Sequence, residues 1–201
     1  MSSLIRLNPS DTKLASNLLA RALYNYPLFG YLIPDPQQRK KRLPVLTGYL
    51  VRAGMLYGYV YITSPKMEGV AVWMPPKTNI SSLELLFRVG VITAPVRLGL
   101  KAFQGVWNYV QQIEELCQRH LSGDYWYLQV ISVDSPYQKQ GYGKRLIEPM
   151  LTKFSEQNLP CCLDTEEESN VSYYERYGFQ IVEASIIPGT NNVCWFMVKQ
   201  P

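Results

Sequence analysis

The run VDSPYQKQGYGKRL, residues 133–146, sets Gln138, Gly141, Gly143 and Lys144 between an apolar stretch and a helix-like pattern. A strand ending at Val133, a glycine turn and a helix starting near Gly141 together make an anion site. The first N–H groups of a helix lack intrahelical partners, and the helix dipole favours negative charge there. Glycine lets the backbone approach a phosphate without a Cβ in the way. Three readings are open: a plain turn, a nucleotide-phosphate loop, or a cradle for another pyrophosphate. The P-loop pattern GxxxxGK[ST] fails, because Gln138 stands five residues before Gly143 and Arg145 follows Lys144. The dinucleotide pattern GxGxxG fails too, with Leu146 in place of the third glycine.

A second set of reactive side chains lies in LDTEEESNVSYYERYGF, residues 163–179. Asp164 ends a short apolar strand pattern, and Glu166, Glu167 and Glu168 follow it. Such acidic runs are commonly solvated; among these three, Glu166 is the candidate general base. Asn170 and Tyr174 are four apart and share a helix face, so both can address one ligand. Tyr173 and Tyr177 share another face and read as packing residues. Tyr127 and Gln129 alternate onto one face of WYLQVISV. The lone histidine, His120, follows a helix and reads as a cap or loop residue. Cys117, Cys161, Cys162 and Cys194 form no CxxC pair and predict neither a metal site nor a disulfide framework. The RKKR run at 39–42 reads as a solvated helix start, with an anionic ligand or partner as the alternative.

These residues need a scaffold of strands and helices. LIRL reads as a strand, and Asn8, Pro9, Ser10 and Asp11 as helix-start signals for a helix carrying Ala15, Leu18, Leu19, Ala22 and Leu23. YPLFGYLIPDP reads as a loop, and a second helix follows over QQRKKRLPVLTGYLVRAGML, with Pro44 near its beginning or kinking it. YVYITS and GVAVWM form a hairpin. Residues 81–119 are helical, with Gly90, Pro95 and Gly99 as breaks. WYLQVISV is the strongest strand. After Gly141 comes a helix with a Leu146, Ile147, Met150, Leu151 and Phe154 stripe, bent locally by Pro149. A strand PCCLD, a short helix closed by Gly178, and a hairpin around PGTNN complete an α/β or α+β sheet with helices on both faces.

With 201 residues, 47% hydrophobic and 18% charged, the chain predicts one domain over 1–201 that buries its own core. A net charge of +4 suits an anionic small ligand and is too diffuse to call for nucleic acid. The start MSSLIRLNPSD has no signal-peptide core, and LLFRVGVITAPVRLGL is broken by Arg88, Pro95 and Arg97, so no membrane association and a cytoplasmic location are expected.

What survives the motif tests is [RQ]xxGxG, carried by Gln138, Gly141 and Gly143 directly after VISVDSP. This resembles the acyl-CoA signature of the GNAT superfamily of N-acetyltransferases, and Asn170, Tyr174, Gly178 and Phe179 match its later strand and helix. The resemblance is best over residues 124–199. VWMPP, LPCCLDT and the central run are most similar to the puromycin N-acetyltransferase-like branch. It implies the GNAT fold, with a mixed central sheet of six or seven strands, and direct acetyl transfer from acetyl-CoA to an amine acceptor. Ile131, Ser132 and Val133 would meet the pantetheine arm. Gln138, Lys139, Gln140, Gly141, Tyr142, Gly143 and Lys144 would hold the pyrophosphate, and Asn170 the cofactor chain. Tyr174 would be the acid toward the leaving thiolate, with Tyr127, Gln129 and Trp73 lining the acceptor site. A small-molecule primary amine is the leading acceptor; a protein or peptide amine, or a silent CoA-binding sensor, are the alternatives. A homodimer is compatible with all three.

Overall fold

The computed structural model describes residues 4–78 and 82–201. Ile5–Arg6 is a short strand, β1, after which Asn8 caps a 3-10 turn by accepting from the Ser10 N–H at 3.1 Å. Helix α1 (Thr12–Ala22) follows, with Ala15, Leu18 and Leu19 buried. The run expected as a loop contains a helix, α2 (Pro27–Leu32). Pro27 occupies its first turn, where a missing N–H costs nothing, and burial of Leu28, Phe29 and Leu32 outweighs the weak local signal. Asp35 caps α3 (Pro36–Tyr57) by accepting from the Gln38 N–H at 2.7 Å, and Pro44 lies well inside that helix. Arg39 is not solvated. Its guanidinium donates to the carbonyls of Tyr24, Ile33 and Pro34 and closes the turn between α2 and α3.

The expected first hairpin is β2 (Tyr59–Ile62) with β3 (Gly69–Met74). The long helical stretch divides into α4 (Leu83–Val89), α5 (Ala94–Leu98) and α6 (Leu100–His120); residue 81, where it was expected to begin, lies outside the described residues. Gly90 and Gly99 make the breaks at φ of +86° and +85°, a region that favours glycine. Pro95 instead helps open α5. The remaining elements are β4 (Trp126–Val133), α7 (Tyr142–Glu156), β5 (Cys161–Thr165), α8 (Glu168–Glu175), β6 (Gln180–Ile186) and β7 (Val193–Lys199). Gly178, at φ +86°, ends the turn after α8, and the Phe179 N–H reaches back to the Tyr174 carbonyl at 3.3 Å.

Among the described residues the strands form one mixed seven-stranded sheet in the order β1-β2-β3-β4-β5-β7-β6, parallel only between β4 and β5. The two-residue period of each strand divides the core. Val70, Val72, Tyr127 and Cys162 pack with residues of α1, α3 and α6 on one face. Ala71, Trp73, Trp126, Leu128 and Leu163 pack against Leu146, Ile147, Met150 and Phe154 of α7 on the other.

One irregularity opens the sheet. Strand β3 pairs Val72 with Val130 and Trp73 with Leu128, which leaves Gln129 as an extra residue bulged from β4. The parallel pairing of β4 with β5 covers only Trp126–Leu128 and Cys161–Leu163. Beyond it the edge of β4 that faces β5 is unpaired, and burial along β4 changes there from buried to half-buried.

Candidate active site

A cleft of about 940 Å³ starts from this gap. One end is the glycine run. Asp134 receives the Ser135 N–H at 3.1 Å and an Arg21 contact at 2.5 Å, which ties the end of β4 to α1. The Gln138 amide donates to the Val133 carbonyl at 3.1 Å and braces the turn from within. Gly141 precedes α7 at φ +82° with no side-chain cap. The backbone N–H groups from Lys139 to Lys144 donate to no other described residue. That is a concentration of free donors at the positive end of a fifteen-residue helix. The neighbouring Tyr173 hydroxyl would lie 2.7 Å from a Cβ added at Gly143, so only glycine fits without displacing it. These features fit a pyrophosphate.

At the other end the polar groups are side chains. Asp164 and Glu166 follow one another at the two-residue period of β5 and its extension, so both come off the α6 face of the sheet. Tyr109, from α6, hydrogen-bonds both carboxylates, and Tyr127 donates to Asp164 at 2.6 Å. The Tyr26 hydroxyl receives the Glu166 N–H at 3.0 Å and lies 2.8 Å from the Thr165 hydroxyl, to which Asn170 donates at 3.2 Å. Burial, and then the charge of Asp164, push the Glu166 carboxyl up to about 8, against the pull of the Tyr109 and Tyr26 hydrogen bonds. Burial also raises Asp164, opposed by Tyr109 and Tyr127. The hydrogen count agrees. Tyr109 carries one hydroxyl hydrogen and faces two carboxylates, so the group is satisfied when the pair holds one proton.

Tyr174 lines the cleft, is 8% exposed, and its hydroxyl donates to no other described residue. Burial first, then Asp164 and Glu166, raise its phenol above 10 and keep it protonated. Gln129 lines the cleft as well, and its buried Oε1 has no partner among the described residues.

The cleft gathers nearly all the residues singled out in the sequence: Tyr127, Gln129, Ile131, Ser132, Val133, Gln138, Lys139, Gly141, Tyr142, Gly143, Lys144, Glu166, Asn170 and Tyr174. Gln140 is in the turn, but its side chain donates to the Pro136 carbonyl at 3.0 Å. Trp73 does not reach the cleft. It is fully buried on the α7 face, 5.3 Å from the Phe154 ring, because strand parity points it away from Tyr127. Tyr173 and Tyr177, expected only to pack, line the cleft beside the cradle. His120 closes α6 and pairs with Glu183 at 2.6 Å, outside the cleft. Sequence reasoning missed Tyr26, Tyr109 and the role of Asp164. A signal for Tyr109 was present: it falls among Val106, Val110 and Ile113 on an apolar helix stripe, where a hydroxyl needs a buried partner.

A family model described as an acetyltransferase (GNAT) domain matches residues 104–181, from α6 through the cradle and α8 to the start of β6. Those residues are similar to a GNAT acetyltransferase domain. An uncharacterized N-acetyltransferase of Schizosaccharomyces pombe is 26% identical over 180 residues, covering 87% of this chain and 72% of that protein. Among solved structures, the fold is similar to that of a Corynebacterium glutamicum protein described as histone acetyltransferase HPA2 and related acetyltransferase (TM-score 0.68, 19% identity, 99% of this chain and 96% of that one). It is also similar to a Drosophila melanogaster polyamine N-acetyltransferase (TM-score 0.67, 13% identity) and a mosquito arylalkylamine N-acetyltransferase-like protein (TM-score 0.63, 13% identity), each with 99% of both chains covered. The mixed sheet thus has the fold of these acetyltransferases, and residues 104–181 resemble the GNAT N-acetyltransferase domain. Enzymes of this type use acetyl-CoA as co-substrate. Among the described residues, no helix is long and apolar enough to cross a membrane.

Proposed function

We propose that the protein moves an acetyl group from acetyl-CoA directly to a primary amine of a small molecule. The observation that carries this reading is the continuity of one cleft from the free N–H groups of the cradle to the buried Asp164–Glu166 pair. When bound, acetyl-CoA supplies the activated thioester. The N–H groups of Lys139 to Lys144 hold its pyrophosphate, and the unpaired edge of β4 from Ile131 to Val133 receives its pantetheine arm as an added strand would be received. Ser132 belongs to that edge, and Asn170 faces the same chain from α8. Because β4 and β5 diverge after Leu128 and Leu163, the two reactants enter one gap from opposite sides.

Glu166 is the base. An alkylammonium of pKa about 10.4 gives its proton to an ordinary carboxylate of about 4.3 at a cost of about 8 kcal/mol. At about 8, Glu166 lowers that cost to about 3 kcal/mol. The freed lone pair forms the C–N bond and the C–S bond breaks; the nitrogen's second proton passes by way of Tyr174 to the departing sulfur, leaving an amide, the CoA thiol and the first proton on Glu166. Tyr174 donates a hydrogen bond to the departing sulfur. Its phenol lies above 10 and a thiol lies near 8.5, so hydrogen-bond donation to developing charge, with a late proton transfer, is favoured over early full transfer. Tyr109 and Tyr127 position the carboxylates, and Tyr127 and Gln129 line the acceptor side of β4.

The resemblance to the puromycin N-acetyltransferase-like branch supports acetylation of a small amine without naming it. The reading is tested by thiol release from acetyl-CoA over a panel of small amines and peptides. Release with a small amine, at a rate that climbs as pH passes about 8, is expected. Thiol release with none, or with peptides alone, overturns it.

A further inference from the structure

The acceptor end of the cleft has a wall of one chemical kind. Leu28 and Leu32 of α2, Leu46 of α3, and Val106, Val110 and Ile113 of α6 line it. No Lys, Arg, Asp or Glu of α1, α2, α3 or α6 is among the lining residues. The polar side chains these walls offer are the hydroxyls of Tyr26 and Tyr109, and both are engaged at Thr165, Asp164 and Glu166. Val106, Val110 and Ile113 lie on the same stripe of α6 as Tyr109, so the apolar wall ends at the carboxylate pair. The positive side chains that line the cleft, Lys139, Lys144 and Arg176, belong to the cradle turn, α7 and the end of α8.

We propose that the acceptor is a singly charged primary amine on an apolar body, an arylalkyl or medium-length alkyl amine, with its ammonium at Glu166 and its body against α2, α3 and α6. This deepens the acetyl-transfer reading and rests on it. A cation at Glu166 finds a buried carboxylate pair. A second cation on the same molecule would be carried along the wall of α2, α3 and α6, which offers it no carboxylate, and an unpaired buried charge is strongly disfavoured. Polyamines, guanidino-amines and amino sugars are therefore excluded by their far ends, whereas each added methylene of an alkylamine gains burial.

The test uses the full chain and measures kcat/KM by thiol release for n-alkylamines from propyl to hexyl, 2-phenylethylamine, 1,6-diaminohexane, agmatine, glucosamine and a short peptide. The expected result is a rise of about fourfold per methylene through hexylamine, the ratio that burying one CH2 gives. Phenylethylamine should match hexylamine, and 1,6-diaminohexane should fall at least about tenfold below it. Val110→Asp, which puts a carboxylate in the wall, should narrow the gap between diamine and hexylamine by at least about tenfold. If that variant does not fold, the wild-type series decides. A flat series, or preference for the diamine, agmatine, the sugar or the peptide, overturns the inference; with the diamine, agmatine or sugar preferred, small-amine acetylation still stands. If no amine releases thiol while acetyl-CoA still raises Tm, the acetyl-transfer reading falls and this inference falls with it.

Discussion

At one end of the cleft, backbone N–H groups from Lys139 to Lys144 front an exposed turn and the start of α7. At the other, two carboxylates are enclosed by hydroxyls from Tyr26, Tyr109 and Tyr127, brought together from separate parts of the chain. The first end offers fixed dipoles that need no protonation state. The second offers groups whose protonation is set by burial. Damage to the cradle should therefore weaken binding at every pH, and damage to the acid end should change rate and its pH dependence.

The largest separation of the two ends is expected from Glu166→Gln. Turnover should fall by about 10²–10⁴-fold, the usual contribution of a positioned base. The acetyl-CoA dissociation constant, measured by calorimetry, should stay within about twofold. Tyr174→Phe should come next, lowering kcat by about 10²-fold with acetyl-CoA affinity again preserved. Equal losses of both would make Tyr174 a packing residue. Gly141→Ala attacks the other end. Its φ of +82° disfavours a Cβ, and the cradle should lose shape; KM for acetyl-CoA should rise about tenfold, about 1.4 kcal/mol, while kcat changes little.

The remaining effect is on stability. The folded Glu166 holds its proton up to about pH 8, whereas the unfolded chain releases it near 4.5. Between those values the folded state binds more protons, so the Glu166 contribution is most favourable below about 4.5 and is lost as pH climbs to about 8. Glu166→Gln should remove that loss. Its Tm relative to the wild type should be higher at pH 8.5 than at pH 5, read by thermal unfolding in matched buffers; a lower relative Tm at pH 8.5 would contradict the burial argument.

The same contrast governs how much the sequence reveals. The cradle lies within one short run, and its glycines, Gln138 and flanking strand and helix are local facts. Most of the sheet is equally legible, because YVYITS, GVAVWM and WYLQVISV carry their strand character within a few residues. The acid end is built by distant elements. Glu166 sits in an acidic run that reads as solvated, and nothing adjacent says that α6 will lay Tyr109 over it or that Tyr26 will receive its N–H. Trp73 shows the limit from the other side: it is next to the right hairpin, and strand parity turns it to the α7 face. The α2 helix was hidden for a related reason, since its stability comes from burying Leu28, Phe29 and Leu32 and not from local propensity.

The most direct test of the central claim is the pH dependence of kcat/KM for the amine, for wild type and Glu166→Gln at saturating acetyl-CoA, with acetyl-CoA binding measured on the same samples. A wild-type rise with an inflection near pH 8, lost together with most of the activity in the variant while acetyl-CoA still binds, is the predicted result. A variant that keeps the wild-type rate and the same inflection would show that Glu166 is not the base.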